Sequence, residues 1–325
     1  MRGWLLGVAA AILGCAAPPA SDPAGMLLVG NKGENTLSLI ALGDGSEIAR
    51  LPTGPMPHEI AVSPDGGQAA VVAYGGSSID VFDLRTRARL RTIELAPNQR
   101  PHGLVWLSDG RLVATCEGSR TVVVISTAGE VRAIPTGSEG SHMVAVAPDN
   151  RTAYVANIRS GTVSVLDLDA GTKLRDIATG GQPEGIALAH GGKEIWVGDL
   201  SAPRVQAFDT ATGAKLGEVA IDPVAIRVAA TPDGMTVVTS NVGSGTISVI
   251  DVATRRVTRT IRVSGEGSAG QVTLLFSRDG KRLYAAETGR NQVAEIDFAS
   301  GTVIRRLNAG KNGDGLGLAP SPSHH

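Results

Sequence analysis

The chain has 325 residues, 19% of them charged, and a formal net charge of −1. That balance gives no electrostatic case for nucleic acid or an anionic membrane as a partner, since such binding rests on a basic surface. With 42 Gly, 17 Pro, only 3% aromatic residues and no long helical periodicity, the composition points to a turn-rich, all-β chain.

At the N-terminus, Arg2 supplies a positive start and residues 4–13 an apolar run too short to span a bilayer. Ile12-Leu13-Gly14-Cys15 then resembles the bacterial lipobox, which implies acylation of Cys15. An ordinary signal peptide cleaved near Ala17 is the alternative. Residues 1–15 are therefore expected to be a signal peptide with lipobox, 16–25 a flexible tether, and 322–325 a disordered tail. The expected location is the periplasmic side of a bacterial envelope, with the lipid anchor as the only membrane contact. By resemblance to sorted lipoproteins, Ala16 after the cysteine implies the outer membrane. Acylation of Cys15 would leave Cys116 as the single thiol and permit no intramolecular disulfide. Cys116 follows the apolar residues 112–115 and is expected to be a buried small hydrophobe.

From residue 26 onward one phrase recurs. It reads PHEIAVSPDG at 57–66, PHGLVWLSDG at 101–110 and SHMVAVAPDN at 141–150, then PEGIALAHGG at 183–192, AIRVAATPDG at 225–234 and QVTLLFSRDG at 271–280. The turn position falls at Asp65, Asp109, Asp149, Gly191, Asp233 and Asp279, giving spacings of 44, 40, 42, 42 and 46. A period of this length with several short strands per unit predicts a β-propeller. Within each unit a tight turn follows the first strand, as where Ser63-Pro-Asp-Gly66 suits a type I turn. An apolar second strand comes next, then a strictly alternating third such as TVSVLD at 162–167, which marks a half-buried strand. A short, charged fourth strand suits the outer edge, where charge discourages edge-to-edge pairing.

Residues 26–51 supply only three strands, and the missing first strand reads GDGLGLAPS at 313–321, with Ser321 standing 42 residues after Asp279. Six complete units and one assembled from both termini predict seven four-stranded antiparallel blades over 26–321, closed by a shared blade. A monomer is expected.

The repeat text resembles the YVTN/YncE-like family of exported seven-bladed propellers. The resemblance lies in Ala153-Tyr-Val-Ala-Asn157, Gly161-Thr-Val-Ser-Val-Leu-Asp167, Gly245-Thr-Ile-Ser-Val-Ile-Asp251 and the Pro-Asp-Gly turns. It implies the fold and a binding role for a small molecule or protein at the channel face. It implies no particular chemistry, because fold does not license function.

Counting back seven residues from each turn position gives one ring at the channel mouth: His58, His102, His142, Glu184, Ile226, Val272 and Asp314. Three of the six histidines fall here, flanked on both sides by a carboxylate, with Ile226 and Val272 expected as an apolar remainder. A second tier begins the loops between second and third strands: Asn31, Glu117, Asn157, Asp199, Asn241 and Glu287. Imidazoles and carboxylates converging on an axis suit a divalent metal. They equally suit a polar, water-filled mouth, and both readings are open. A binding protein is expected; the alternatives are a metal-dependent lyase or lactonase with its site at the mouth, and a tetrapyrrole-handling propeller. The glycine-rich stretches at Glu139-Gly-Ser-His142 and Glu266-Gly-Ser268 are expected to shape the rim. There is no phosphate-binding Gly-rich loop, Gly-x-Ser-x-Gly elbow or Cys-x-x-Cys pair.

Overall fold

The computed structural model describes residues 25–320. Cys15, residues 16–24 of the expected tether, Ser321 and the expected 322–325 tail lie outside the described residues, while Gly25, the last residue assigned to that tether, instead opens the first strand. The rest forms seven four-stranded antiparallel sheets, with only three single-turn 3-10 segments in the connections between strands. Blade 1 is the shared one: Gly313–Pro320 is innermost and pairs with Gly25–Asn31, with Leu27 opposite Leu318 and Met26 opposite Ala319. The innermost strands of blades 2 to 7 are Pro57–Val62, Pro101–Trp106, Ser141–Val146, Pro183–Ala189, Ala225–Ala230 and Gln271–Phe276.

The blade turns follow from local side-chain chemistry. Asp65 Oδ1 accepts from the Gly67 amide and the Ser63 hydroxyl, and Asp233 and Asp279 do the same in blades 6 and 7. The acids that end third strands cap the next turn, as where Asp83, Asp209 and Asp251 each accept from the amide and hydroxyl of a threonine three residues on.

The core is a ring of seven apolar wedges, one between each pair of neighbouring blades. Tyr284, Leu307 and Leu316 sit in the wedge between blades 7 and 1, so the last strand is packed as well as hydrogen-bonded. Cys116 is fully buried and its thiol is pushed up to about 12 by desolvation, so it is an inert core residue.

The innermost strands share a β-bulge that governs the channel. In blade 2, Pro57 pairs with Ala73 and Ile60 with Val71, so His58 and Glu59 together oppose one residue. Blades 1 and 3 to 7 show the same register shift near the start of the strand. A bulge breaks the two-residue alternation and offers two consecutive side chains to the axis. The strands also approach closely: a Cβ on Gly315 would lie 1.7 Å from the His58 carbonyl oxygen. Only glycine fits there.

Candidate functional site

The bulges bring the predicted residues together on one face. His58, His102 and His142 stack as successive rings, with centroids 3.9 Å apart for the first pair and 3.5 Å for the second. Nε2 of His58 and Nε2 of His102 share a hydrogen bond at 3.2 Å, one ring donating and the other accepting, and His102 is only 1% exposed. Asp314 Oδ2 lies 3.4 Å from His58 Nε2, and Glu184 Oε1 lies 3.6 Å from His142 Nε2. The expected arc of five polar positions is therefore present. The Tyr74 ring packs edge-on against both His58 and His102.

Of the second tier, Glu117 joins the site. Its Oε2 accepts from the Tyr74 hydroxyl at 2.9 Å and stands 3.3 Å from His142 Nδ1, while Oε1 accepts from Arg159 at 2.8 Å. The others are spent on their own blades. Asp199 accepts from the Gln182 and Ser201 amides and from Arg204; Glu287 accepts from Arg306 at 2.6 Å. Asn31, Asn157 and Asn241 each donate to two hydroxyls of the following strand.

The expected apolar remainder stands beside a further polar group. Ile226 and Val272 are half-buried, and their neighbours Arg227 and Thr273 are the buried residues that make contacts across the channel. Because each bulge offers two residues, a second ring lies one position further along: Glu59, Gly103, Met143, Gly185, Arg227, Thr273 and Gly315. Arg227 is 4% exposed, donates to Glu59 Oε1 at 2.8 Å and to Thr273 Oγ1 at 3.2 Å, and rests on the Met143 sulfur. Thr273 in turn donates to Asp314 Oδ1 at 3.0 Å, and Lys32 pairs with Oδ2 of the same acid. Glu59, Arg227 and Thr273 were missed by counting, although an arginine inside the apolar strand AIRVAA was a signal that it had a partner.

The electrostatics set the protonation states. Burial would raise the Asp314 carboxyl, but His58, Lys32 and Arg227 hold it far below the usual carboxylate range. Burial likewise opposes ionisation of Glu59, and Arg227 and His58 overcome it. The hydrogen bond from His142 is the main reason that Glu117 falls to about 2. Desolvation, then the neighbouring His58 and His142, push His102 well below the ordinary histidine value, so it is neutral. His142 also loses hydration, yet Glu117 and Glu184 carry it upward. Nδ1 of His102 has no hydrogen-bond partner, and Nδ1 of His58 stands 3.5 Å from Glu59 Oε1, too long for a full bond.

These shifts predict a stability maximum near pH 6.5, the value of a histidine in the unfolded chain. Below it the unfolded chain takes up the proton that His102 refuses, so stability falls, and it falls again near pH 4.5 as Glu117, Glu59 and Asp314 begin to be titrated in the unfolded state. Above it the stability conferred by His142 is lost as pH rises through its raised folded value. Thermal melting across pH 4 to 9 checks this: His142→Gln should flatten the alkaline limb and His102→Gln the shoulder just below pH 6.5. A wild-type midpoint that is level from pH 5 to 8 would reject the assignment.

No family model matches the chain, and no curated protein matches it in sequence. Solved structures do. A functionally unknown protein from Desulfotomaculum acetoxidans superposes with a TM-score of 0.79 at 13% identity, covering 92% of this chain and 100% of that one. Kuenenia stuttgartiensis hydrazine synthase gives 0.68 at 19% identity over 79% and 87% of the two chains. Dihydro-heme d1 dehydrogenase NirN in complex with DHE gives 0.66 at 16% over 91% and 76%. At such identities the likeness is one of fold, and the fold is a seven-bladed β-propeller.

Proposed function

We propose that this protein is an exported binding propeller of the YVTN/YncE-like kind, tethered through Cys15, whose histidine mouth holds a first-row transition-metal dication. The observation that carries this reading is the buried pair of facing Nε2 atoms on His58 and His102, 3.2 Å apart. Two nitrogens bound at about 2.0–2.1 Å to one tetrahedral ion sit roughly 3.3 Å apart, so the pair has the bite of a single metal. Glu59 joins them, with one ligand atom from each of the three residues within 4.8 Å of the others. Two imidazoles and one carboxylate favour zinc, copper, nickel or cobalt over calcium or magnesium. Neutral His102 has no proton to release on binding, so acid competes weakly at that ligand.

A tetrapyrrole at the same face is the second reading, favoured by the fold likeness to NirN, whose structure is described as in complex with DHE. A metal-dependent lyase or lactonase would use the same ion with a substrate at the open mouth. Titration of Co²⁺ or Zn²⁺ into chelator-treated protein should saturate at one equivalent, and His102→Ala should weaken it by about 100-fold. Equal affinity in wild type and variant rejects the metal site. A Soret band in the purified protein moves the assignment to the tetrapyrrole.

A further inference from the structure

Beside the histidine stack, on the same face, the rim opens into a cleft of about 330 Å³ lined by Arg100, Glu117, Arg120, Glu139 and Arg159 with two glycines. Three guanidinium groups meet two carboxylates there, and the carboxylates are unequal. Glu117 is 8% exposed at its side chain and is held from below by Tyr74 and His142. Glu139 is 62% exposed and reaches Arg120 at 3.7 Å, a loose pair in open water. Arg100 lies over the Tyr74 ring, 4.6 Å from its centroid, bonds the Tyr74 hydroxyl and makes no salt bridge among the described residues. The cleft thus carries one guanidinium in excess, and its second is countered only by a carboxylate free to swing away.

Arg120 is left-handed, with φ of 57°, at the residue immediately before the third strand. The same position holds Asn35, Gly161, Gly245 and Asn291 in other blades, residue types that adopt this conformation readily. Arginine takes this conformation at Arg87, Arg100 and Arg255 as well, so the backbone by itself does not mark the cleft. What places Arg120 there is its guanidinium, which faces Glu139.

We propose that this arginine-lined cleft binds the oxyanion head of a small molecule, a carboxylate or a phosphate, clasped by Arg100, Arg120 and Arg159. The planar, forked donors of arginine match such oxygens in pairs, and Glu139 occupies the place in the ligand's absence. The site is separate from the proposed metal ligands, so its test runs on metal-free protein and stands whether or not the metal reading does.

Calorimetric titration of chelator-treated protein at low ionic strength, with inorganic phosphate and with succinate, provides the test. At least one anion should bind saturably, and the affinity should fall as salt is added. Arg120→Gln and Arg100→Gln should each weaken it about tenfold or more, by loss of a charge-assisted pair. Glu139→Gln should strengthen it several-fold by removing the resident competitor, an effect that misfolding cannot mimic. Lys215→Gln, the same charge change on the outer strand of blade 5, should leave affinity unchanged. Phosphate binding alone would identify a phosphoryl ligand, and succinate alone a carboxylate. Absence of saturable binding in both wild type and Glu139→Gln overturns the proposal, as does an Arg120→Gln affinity equal to that of Lys215→Gln.

Discussion

A chain that stops before residue 313 is expected to lose the native state altogether, whereas one that stops after Pro320 should melt like the full-length protein. Residues Gly313–Pro320 form the innermost strand of blade 1, and their removal strips the partner from every backbone group that Gly25–Asn31 directs toward the axis. Each buried polar group left unpaired costs about 1–3 kcal/mol, and several such losses exceed the roughly 5–15 kcal/mol by which a domain is stable. Leu316 and Ala319 also leave the apolar wedges on either side of blade 1. Blades 7 and 2 would then face each other across a gap, with an unpaired edge open to association. Far-UV circular dichroism and size-exclusion chromatography of the two truncations check this. A soluble, cooperatively melting 1–312 chain would show that the ring does not depend on the shared blade.

The ring, the shared blade and the histidine mouth were all legible in the sequence for one reason: turn residues are physically constrained, so they keep a count. Asp65, Asp109 and Asp149 hold their turns through local hydrogen bonds, and counting back from them reaches His58, His102 and His142 without knowledge of the sheet. The same count failed at Glu59, Arg227 and Thr273, because a strand is expected to turn its next residue away from the axis and the bulge reverses that expectation. The loop acids were not separable from sequence either. Glu117, Asp199 and Glu287 occupy equivalent places, and what sends Glu117 to the histidines is the Tyr74 hydroxyl from the neighbouring blade, while Arg204 and Arg306 retain the other two. Such assignments depend on which long side chain nearby reaches the acid, from the neighbouring blade for Tyr74 and from the outer strands of the same blade for Arg204 and Arg306, and periodicity carries no information about that.

Arg227→Met is expected to be among the most damaging single substitutions in the molecule, although it replaces a charged residue by an apolar one of similar length in the protein interior. Arg227 spans the channel from blade 6 to Glu59 on blade 2, and burial, which would favour loss of its proton, is overcome by Glu59, Asp314 and Glu184. Without it, Glu59 is left as a buried acid whose main compensating charge is gone, and removal of one partner from a buried pair costs about 3–5 kcal/mol. Adding Glu59→Gln to Arg227→Met should recover much of that loss, since replacing both members of a buried pair is far milder than replacing one. Urea unfolding of the wild type, the two single variants and the double variant closes the cycle. A single-variant loss below about 1 kcal/mol would mean that water screens the pair and that the channel is not the dry electrostatic centre its burial indicates. The same variant bears on the metal. In the native protein the guanidinium is the cation that Glu59 already has, so an arriving dication must share the carboxylate with it or displace it. With Arg227 gone, Glu59 is free to serve the ion, and metal affinity should rise even as the metal-free fold weakens. Opposite signs for stability and affinity in one substitution are what a resident counter-ion produces, and loss of both together would instead make Arg227 a structural strut with no part in the site.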